Sequence, residues 1–505
     1  MRQNNITFDY IMEFYAKQGS IFLGDKKVSI KGINWFGFET EVYGLHGLWS
    51  VSMKQLLDFV KANKFNALRI PLSMEVIFGL DTIKCTAINT SANPDMVGWT
   101  AGKLLDTLVS ECAKRGILVM PDIHRFVGTG VITELWYDNQ NPESKMIEAW
   151  KIIVKRYINN TNVFAIDIKN EPHGSSTWGT GNPATDWDLA ATRIGNAILD
   201  VNPKLLIFVE GVERYNNSGS WWGGTVEGAQ KHPIVLKVPN KLVYSPHVYG
   251  PSVFAQTYFT APDFPKNLKP IWTQDFAFLK LNKTGTLCLG EWGGKYLSVN
   301  KDDVWQNAMG DFILENDIDF FYWSLCVNSV DTCSIVLDDW TTPNQPIVNL
   351  LARVSPNPTV FALNASQISV LNPIPVTPTP VAPKPTPIVP KPTPVAPKPT
   401  PVTPSPITTN NVSITIKDTN QWSDGTSTFF QQDVTIKNNS TKVIPNVAVK
   451  VILTNSTLEQ SWNCVKTNNI LSLPQWLLDN GGLKPNDTAV FGIVVKGQKP
   501  TISLS

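Results

Sequence analysis

Several features that mark other classes of protein are missing from this sequence or scarce in it. Its 43 lysine and arginine residues nearly balance its 42 aspartate and glutamate residues, so no positive surplus is available to neutralise phosphates, and nucleic acid is not an expected partner. No apolar run approaches the ~18 residues of a membrane-spanning helix, so the membrane is not an expected partner either. The start, MRQNNITFDYIMEFYAKQGS, contains no continuous apolar stretch of the kind that a signal peptide needs.

Cysteine and histidine are scarce too, with 6 and 5 residues in a chain of 505. None of the cysteines forms a CxxC pair or lies near spaced histidines, so we expect no structural zinc site. Cys112 falls in a helical pattern and Cys288 in an apolar strand pattern, and both are predicted to be buried thiols. Only Cys326 and Cys333 are spaced to pair, either as a disulfide that closes a short loop or as two free thiols.

Tryptophan, in contrast, is abundant, with 17 residues in a chain that is 10% aromatic. Flat aromatic faces stack against sugar rings, so this excess favours a carbohydrate ligand. Asn-x-Ser/Thr motifs also recur, and they are the acceptors of N-glycosylation in secreted proteins. We therefore expect a secreted, extracellular glycoprotein whose signal segment is lacking or misplaced at the present start. The motifs begin at Asn5, Asn89, Asn159, Asn216, Asn282, Asn364, Asn411, Asn438, Asn439, Asn455 and Asn486.

A proline-rich segment divides the chain. Between Pro373 and Pro406 a seven-residue repeat reads VAPKPTP, IVPKPTP and VAPKPTP. Because proline fixes φ and removes backbone donors, we expect extended polyproline II at ~3.1 Å per residue, a semi-rigid spacer on the order of 100 Å long. A ligand for proline-recognising domains is the weaker alternative, since Lys384, Lys391 and Lys398 recur evenly and globular sequence flanks both sides.

Before this segment, apolar β-rich runs alternate with amphipathic helical runs. The helical runs include MKQLLDFVKANKF, GKLLDTLVSECAKR, KMIEAWKIIVKRYI and WDLAATRIGNAILD, with apolar residues three and four positions apart. Such alternation predicts parallel strands that are buried on both faces, and eight units predict an α/β fold, the (β/α)8 TIM barrel. The eight strand runs are VSIKGINWFGF, NALRIPLS, GILVMPDIH, VFAIDIKNEP, LLIFVEGV, KLVYSPHVYG, TLCLGEWGG and DFFYWSLC.

After the segment, the pattern changes to alternating apolar and polar residues between Asn, Gly and Pro turns. The runs NVSITIKD, FFQQDVTIKN, NVAVKVILT and TAVFGIVVKG predict a small antiparallel β-sandwich with its own core.

In a TIM barrel, reactions take place at the C-terminal ends of the strands. Polar or aromatic residues predicted there are Arg69, His124, Asn170, Glu171, His247, Tyr249, Glu291 and Trp323. Glu171 and Glu291 follow from the fourth and seventh strands, nearly opposite each other in the ring. Glycoside hydrolysis needs such a pair, because one carboxylic acid protonates the leaving oxygen and one carboxylate attacks the anomeric carbon.

The strand-end motifs resemble those of glycoside hydrolase family 5, specifically its cellulases. They are GINWFGFET, LRIP, DIHR, KNEP, SPHVYG, LGEWGG and FFYWS, in this order over about residues 15–350. In that family the glutamate of NEP is the acid/base and the glutamate of GEW is the nucleophile. The resemblance therefore implies these roles for Glu171 and Glu291.

The chemistry then suggests what the neighbouring residues do. Hydrogen bonds from Arg69 and Tyr249 are expected to keep Glu291 ionised, whereas partial burial is expected to keep a proton on Glu171. Asn170 is expected to bind the sugar 2-hydroxyl. His124 and His247 are expected to orient the substrate and the carboxylates. Trp323 is expected to form the floor under the sugar at the cleavage point.

Structural alternatives stand beside these roles. Arg69 could pair with a structural acid, the two histidines could be satisfied structural residues, and Trp323 could be core packing. Packing and a sugar platform are equally open for Trp35, Trp136, Trp178, Trp221, Trp222, Trp272 and Trp292. The chain also departs from the family after the eighth strand, where it reads SLCVNSVDTCSIVLDDW instead of an Asn-Pro and Gly-rich loop.

The C-terminal region resembles the cellulose-binding modules of cellulases, with Trp422, Trp462 and Trp476 as candidate platforms. We therefore predict a catalytic barrel (1–371), a linker (372–410) and a carbohydrate-binding β-sandwich (411–505). The expected protein is a monomeric retaining endo-β-1,4-glucanase that needs no cofactor and binds cellulose or a related β-glucan. The alternatives are the same mechanism on mannan, xyloglucan or mixed-linkage glucan, or a non-catalytic cellulose-binding matrix protein.

Overall fold

The structure is a computed structural model that describes residues 13–216, 218–363, 368–371, 407–408, 411–423, 427–462, 464–473, 477–478 and 481–504. The chain divides into two compact units, Met1–Pro380 and Val381–Ser505. The predicted proline-rich spacer lies outside the described residues. Within the described residues, no helix combines the length and apolar character that would let it cross a membrane.

The first unit is built around a ring of parallel strands, which confirms the predicted TIM barrel. The inner face of the ring and the surrounding helices bury the strands on both sides, so their residues are almost all buried and mostly apolar. In chain order the ring is formed by Lys31–Asn34, Ala67–Ser73, Leu118–Arg125, Ala165–Asp167, Leu206–Val209, the divided sixth strand Leu242–Tyr244 and His247–Tyr249, Cys288–Gly293 and Asp319–Tyr322.

The sixth strand closes the ring although it is interrupted at Pro246. Its first half pairs with the fifth strand and its second half with the seventh, and a bridge between Tyr244 and Leu287 joins the two ends of the sheet. Proline has no N–H for the sheet ladder, which explains a break at this position. The break sets His247 and Tyr249 at the C-terminal end of the ring, beside Glu291 and Gly293 of the seventh strand.

Helices surround the ring, and the four helical runs predicted from apolar spacing are all confirmed. The first of them begins at a capping box, in which Ser52 accepts a bond from Gln55 N and the Gln55 side chain accepts from Ser52 N. The α-helices are Met53–Ala62, Met74–Phe78, Ala101–Lys114, Glu143–Arg156, Trp187–Leu199, Leu268–Trp272, Phe278–Leu281, Asp302–Asn316 and Gln345–Val354, with a π-helix at Thr273–Ala277. Short 3-10 turns lie at Pro94–Met96, Glu227–Gln230, Thr257–Thr260 and Ser298–Asn300.

The N-terminal end of the barrel has its own apolar cluster. The small antiparallel sheet Phe14–Lys17, Ser20–Leu23 and Lys26–Lys27 contributes Phe14, Ile21 and Leu23 to it. Phe361, from the antiparallel pair Val360–Leu363 and Ile368–Leu371, joins the same cluster. Apolar packing therefore dominates this end of the barrel. A further short pair is Arg214–Tyr215 with Ser218–Gly219.

The cysteines are free thiols in the structure, so of the two alternatives for Cys326 and Cys333 the structure shows the pair of free thiols. The two sulfurs contact different groups, Cys326 Sγ the carbonyl of Phe36 at 3.7 Å and Cys333 Sγ the hydroxyl of Tyr322 at 3.6 Å. The predicted burial of Cys112 and Cys288 is confirmed, since both side chains are fully buried.

The second unit consists of two antiparallel sheets, which confirms the predicted β-sandwich. Alternation is visible in Thr428–Asn438, where Val434 and Ile436 are buried and Asp433 and Thr435 are partly exposed. One sheet has the order Ile407–Thr408, Val412–Ser423, Thr428–Asn438, Thr488–Gly497 and Ser456–Trp462. The other has the order Val465–Thr467, Ile470–Ser472, Ala448–Ile452 and Thr501–Leu504.

Candidate active site

Buried polar side chains converge at the C-terminal end of the ring. Glu291 lies in the seventh strand, and Asn170 and Glu171 follow the fourth strand after two further residues. Arg69 does not end its strand as predicted, because the second strand continues to Ser73 and the arginine extends into the ring from the middle of it. His124 and His247 come from the third and sixth strands.

Arg69 is the centre of this polar network and is completely buried. Its guanidinium donates to Glu291 Oε1 at 2.6 Å, to Asp167 Oδ2 at 2.8 Å and to Asn170 Oδ1 at 3.0 Å. Burial opposes its charge, but the surrounding carboxylates outweigh that effect and hold the pKa of Arg69 well above its usual range. Arg69 thus pairs with structural acids and with Glu291 at the same time. Asn34, Asp122 and Glu210 complete its contacts.

Glu291 receives the two hydrogen bonds that the sequence predicted, from Arg69 and from the hydroxyl of Tyr249. Its side chain is nevertheless almost fully buried. Burial raises the pKa of Glu291, against the opposing charges of His247 and Arg69. Ionisation of Glu291 therefore depends on both of these cations.

Glu171 and Glu291 approach each other across the ring. A carboxylate oxygen of each, together with a ring nitrogen of His247, forms a group of atoms that all lie within 4.8 Å of one another. His247 Nδ1 is 3.2 Å from Glu171 Oε1 and 3.5 Å from Glu291 Oε2. Carboxyl groups about 5 Å apart suit direct attack on the sugar, whereas inverting enzymes need roughly 6.5–9.5 Å to admit a water.

The pKa of Glu171 differs from the expectation that burial would raise it. Burial acts in that direction, but the hydrogen bond and positive charge of His247 outweigh it, and the pKa of Glu171 is lowered. For His247, burial acts to lower the pKa. The neighbouring carboxyl groups of Glu210, Glu291 and Glu171 outweigh burial and raise the pKa of His247 well above its usual value. The free site therefore contains an imidazolium between two glutamates, and Glu171 is not the group that holds the proton.

His124 and Trp323 lie side by side at the edge of this site. Their rings are nearly parallel, with centroids 5.6 Å apart, and Phe36 also stacks on Trp323 at 5.3 Å. His124 Nδ1 is 3.0 Å from Asp122 Oδ2. Burial lowers the pKa of His124 well below its usual value, so its ring is neutral. The half-buried Trp323 is thus held by two flat neighbours.

Of the seven barrel tryptophans that stayed open between packing and a sugar platform, six are buried and one is exposed. Trp222 is 44% exposed and stacks on His173 with ring centroids 3.7 Å apart. Both residues line a groove of about 470 Å³, whose other wall runs from Val131 to Asp138. His173, which lines the groove, is only two residues after Glu171 in the sequence. The buried rings are Trp35, Trp136, Trp178, Trp221, Trp272 and Trp292.

The tail tryptophans can be placed only in part. Trp422 and Trp462 belong to strands of the second unit, but their side chains lie outside the described residues. Trp476 lies outside the described residues altogether. A common flat strip formed by these rings remains a prediction.

Two groups of side chains have the spacing of a metal site among the described residues. One is Asp167, Glu210 and His247, and the other is Glu171, His247 and Glu291. A histidine must be neutral to bind a metal, whereas His247 is held in its charged form and Arg69 already pairs with three of these carboxylates. The arrangement therefore suits an ion-pair network.

Sequence reasoning missed Asn34 and Glu210, which lie at the ends of the first and fifth strands. Asn34 accepts a bond from Arg69 at 3.1 Å, and Glu210 contacts Arg69, His247 and the backbone of Glu171. The signal was present, because the strand-end rule applies to all eight strands and had been applied to only six.

Comparison with known proteins agrees with this geometry. Residues 412–496 match the model of the carbohydrate binding domain CBM49. An endoglucanase of Paenibacillus polymyxa is 44% identical over 347 residues, which cover 68% of this chain and 87% of the relative. The major extracellular endoglucanase of Xanthomonas campestris pv. campestris is 40% identical over 332 residues, 65% of this chain and 67% of the relative.

Among solved structures, an endocellulase from Pyrococcus horikoshii, determined in complex with cellotetraose, superposes with a TM-score of 0.64 and 38% identity. The match covers 68% of this chain and 99% of that protein. Residues 26–329 match the model of Cellulase, glycosyl hydrolase family 5, over more than half of the chain. This chain belongs to glycoside hydrolase family 5.

Proposed function

We propose that this protein is an endo-β-1,4-glucanase that hydrolyses internal bonds of cellulose with retention of configuration. The observation that carries the proposal is the pair of glutamate oxygens within 4.8 Å of each other, between Arg69, Tyr249 and His247. The endoglucanases and the endocellulase that share this barrel support the choice of cellulose.

In the first half of the reaction, Glu291 attacks the anomeric carbon while Glu171 gives its proton to the glycosidic oxygen. The bond to the leaving chain breaks, and a glycosyl ester forms on Glu291. Arg69 and Tyr249 bind the Glu291 carboxylate and thereby aim it at the sugar. Asn170 has a side-chain nitrogen that is buried without a hydrogen-bond partner, and it is suited to donate to the 2-hydroxyl.

In the second half, water enters from the side that the leaving chain has vacated. Glu171, now a carboxylate, removes a proton from this water, and the hydroxide displaces Glu291 from the sugar. The lowered pKa of Glu171 favours this basic role. The acidic role in the first half needs a proton from elsewhere in the network.

The leaving chain is expected to occupy the groove beside Glu171. A group that protonates the leaving oxygen must lie on the leaving-chain side of the bond, and Trp222 on His173 presents a flat face there. Trp323 is expected to lie beneath the sugar that is attacked.

For the rest of the chain, we propose that the CBM49 region binds cellulose and that the segment 372–410 spaces it from the barrel. We also propose that the protein acts outside the cell as a monomer. An insoluble polymer cannot enter a cell, and one relative carries the word extracellular in its name.

Release of reducing ends tests the main proposal. The enzyme should act on carboxymethyl-cellulose faster than on mannan, xyloglucan or mixed-linkage glucan, and the first products should have retained configuration by proton NMR. Faster hydrolysis of mannan, xyloglucan or mixed-linkage glucan would show that the proposed substrate is wrong, while the proposed mechanism would stand. No release from any of the four would support the non-catalytic alternative.

A further inference from the structure

His173 lies between the groove and the acid/base, and double displacement by itself requires no role for it. The residue is buried, and its ring stacks on the exposed Trp222 with centroids 3.7 Å apart and ring planes inclined by only 8°. Its Nδ1 lies 2.7 Å from the backbone carbonyl oxygen of Glu171. Because a carbonyl oxygen only accepts hydrogen bonds, Nδ1 carries a hydrogen and donates it. One imidazole ring therefore contacts both the exposed tryptophan of the groove and the main chain of the acid/base.

The backbone of Glu171 needs such support. Its φ is +52°, a left-handed conformation that residues with a side chain rarely adopt. A buried side chain holds the peptide group on each side of it: Glu171 N–H donates to Glu210 Oε2 at 2.8 Å, and Glu171 C=O accepts from His173. These two bonds fix the two peptide planes that meet at the Cα atom of Glu171. They therefore also fix the direction in which its carboxyl group extends.

The segment that carries Trp222 is joined to the same stretch of backbone. Gly223 N donates to Pro172 O at 3.0 Å. A Cβ at Gly223 would lie only 3.3 Å from Glu171 Cα, so the two segments pass in close contact. Trp222, His173 and the main chain of Glu171 thus form one unit, which is held by a ring stack, a side-chain hydrogen bond and a backbone hydrogen bond.

We propose that His173 is a positioning residue that couples a sugar on Trp222 to the orientation of the acid/base Glu171. The inference rests on the proposed function, in which the leaving chain occupies the groove. A sugar on the free face of Trp222 holds that ring against His173 and so immobilises the donor to the Glu171 carbonyl. Binding energy from the leaving chain is then used to aim the carboxyl group at the glycosidic oxygen, which raises kcat more than it tightens binding.

Two substitutions distinguish this role from simple packing beneath Trp222. Coupling depends on the N–H of His173, whereas packing depends on its flat ring. His173→Phe keeps a flat ring and removes the donor. His173→Asn keeps a side-chain N–H close to the position of Nδ1 and removes the ring. The two variants should therefore fail in opposite ways.

On cellopentaose, H173F should lower kcat roughly 10- to 30-fold and leave KM within about twofold, since the chain still finds Trp222 but the acid/base is poorly aimed. H173N should keep kcat within about threefold of the wild type and raise KM, since Trp222 loses the ring behind it. If H173F resembled the wild type and H173N were the damaged variant, His173 would serve packing alone and the inference would be wrong.

A second substrate shows whether the loss concerns proton donation. An aryl cellobioside with a dinitrophenyl leaving group needs little acid, so its kcat/KM, which reports formation of the glycosyl ester, should fall less than about threefold in H173F. Equal losses on both substrates would overturn the inference and leave the proposed function intact. An inactive wild type would instead overturn the proposed function itself.

Trp222→Ala tests the coupling directly. If the leaving sugar acts through His173, W222A should lower kcat on cellopentaose in the wild-type background and hardly at all in the H173F background, where the donor is already missing. The rise in KM from W222A should be similar in both backgrounds. Additive losses in kcat would show that the two residues act independently and would refute the coupling.

If H173F does not fold, nitrogen NMR with labelled histidine replaces it. The signal of His173 Nδ1, assigned by its absence in H173N, should show a bound hydrogen even when the ring is neutral. The signal should also move when cellotetraose binds to Glu291→Ala, which cannot form the glycosyl ester. A neutral ring with its hydrogen on Nε2, or a signal that the sugar leaves unchanged, would contradict the inference.

Discussion

At the scale of single residues, His247 decides how the two glutamates share protons. Its ring lies 3.2 Å from Glu171 and 3.5 Å from Glu291, and its positive charge lowers the pKa of both. Burial acts in the opposite direction on each carboxyl group. At Glu171 the charge of His247 outweighs burial, so the pKa is lowered. At Glu291 burial outweighs the charge of His247, so the pKa is raised.

Replacing His247 by Asn should therefore move the whole pH profile. Without the positive charge the pKa of Glu171 and that of Glu291 both rise, so the acidic and the alkaline limb of kcat/KM should both shift to higher pH. The measurement is kcat/KM on carboxymethyl-cellulose between about pH 3 and 9. His124→Asn is the matched control, because its ring is already neutral and its loss should lower activity without moving either limb. An unmoved profile in H247N would mean that His247 is neutral in the free enzyme.

Azide rescue should separate the roles of the two glutamates. Glu171→Ala should still form the glycosyl ester from an activated aryl glycoside, and azide should accelerate its turnover to a product of retained configuration. Glu291→Ala lacks the nucleophile, so it should be inactive on every substrate and give no such product. If azide restored activity to Glu291→Ala with retained configuration, or to neither variant, the assignment of roles would have to be abandoned.

At the scale of elements, the strands and the loops that follow them carry the site residues, and buried polar side chains hold these loops. Asp302, in the first turn of the helix Asp302–Asn316, accepts bonds from Ser252 N, Tyr296 N and Gln306 Nε2 at 3.0, 3.1 and 2.8 Å. Ser252 belongs to the loop after Tyr249, and Tyr296 to the loop after Glu291. One carboxylate thus links the loops that follow two site residues.

Asp302→Ala should destabilise the barrel by roughly 2–4 kcal/mol, since the buried Gln306 side chain and two part-buried backbone N–H groups lose this acceptor. Asp303→Ala, one residue further on a more exposed side of the same helix, should cost less than about 1 kcal/mol. Denaturant unfolding followed by tryptophan fluorescence would measure both. Equal losses in the two variants would show that Asp302 does not clamp the loops.

At the scale of the whole molecule, the protein combines a barrel with a separate β-sandwich, each with its own apolar core. Soluble chains diffuse to the barrel, whereas insoluble cellulose requires the enzyme to stay at a surface. A binding module on the spacer that the sequence predicts would raise the local concentration of the barrel there, within an expected reach on the order of 100 Å.

Truncation after Leu371 should therefore leave turnover of carboxymethyl-cellulose nearly unchanged and sharply reduce adsorption to, and hydrolysis of, insoluble cellulose. Joint replacement of Trp422, Trp462 and Trp476 by Ala should reproduce much of this loss, because stacked aromatic faces would provide most of the attachment. Adsorption would be measured by pull-down with insoluble cellulose, and hydrolysis by the release of soluble sugar. If the truncated enzyme adsorbs to cellulose as well as the full chain does, the tail is not a cellulose-binding module and has another ligand.

The barrel, the sandwich and most of the strand-end residues, including Glu171 and Glu291, could be predicted from the amino-acid sequence alone. They follow from the periodicity of apolar residues and from short motifs at strand ends, which are local properties of the sequence and need no knowledge of the fold. The tertiary structure decided how those residues act on one another. The contacts of His247 with Glu210 and Glu171, the lowered pKa of Glu171 and the separate surroundings of Cys326 and Cys333 all depend on distances between atoms that are separated along the chain. Charge interactions and burial are set by such distances, and no spacing along the sequence contains them.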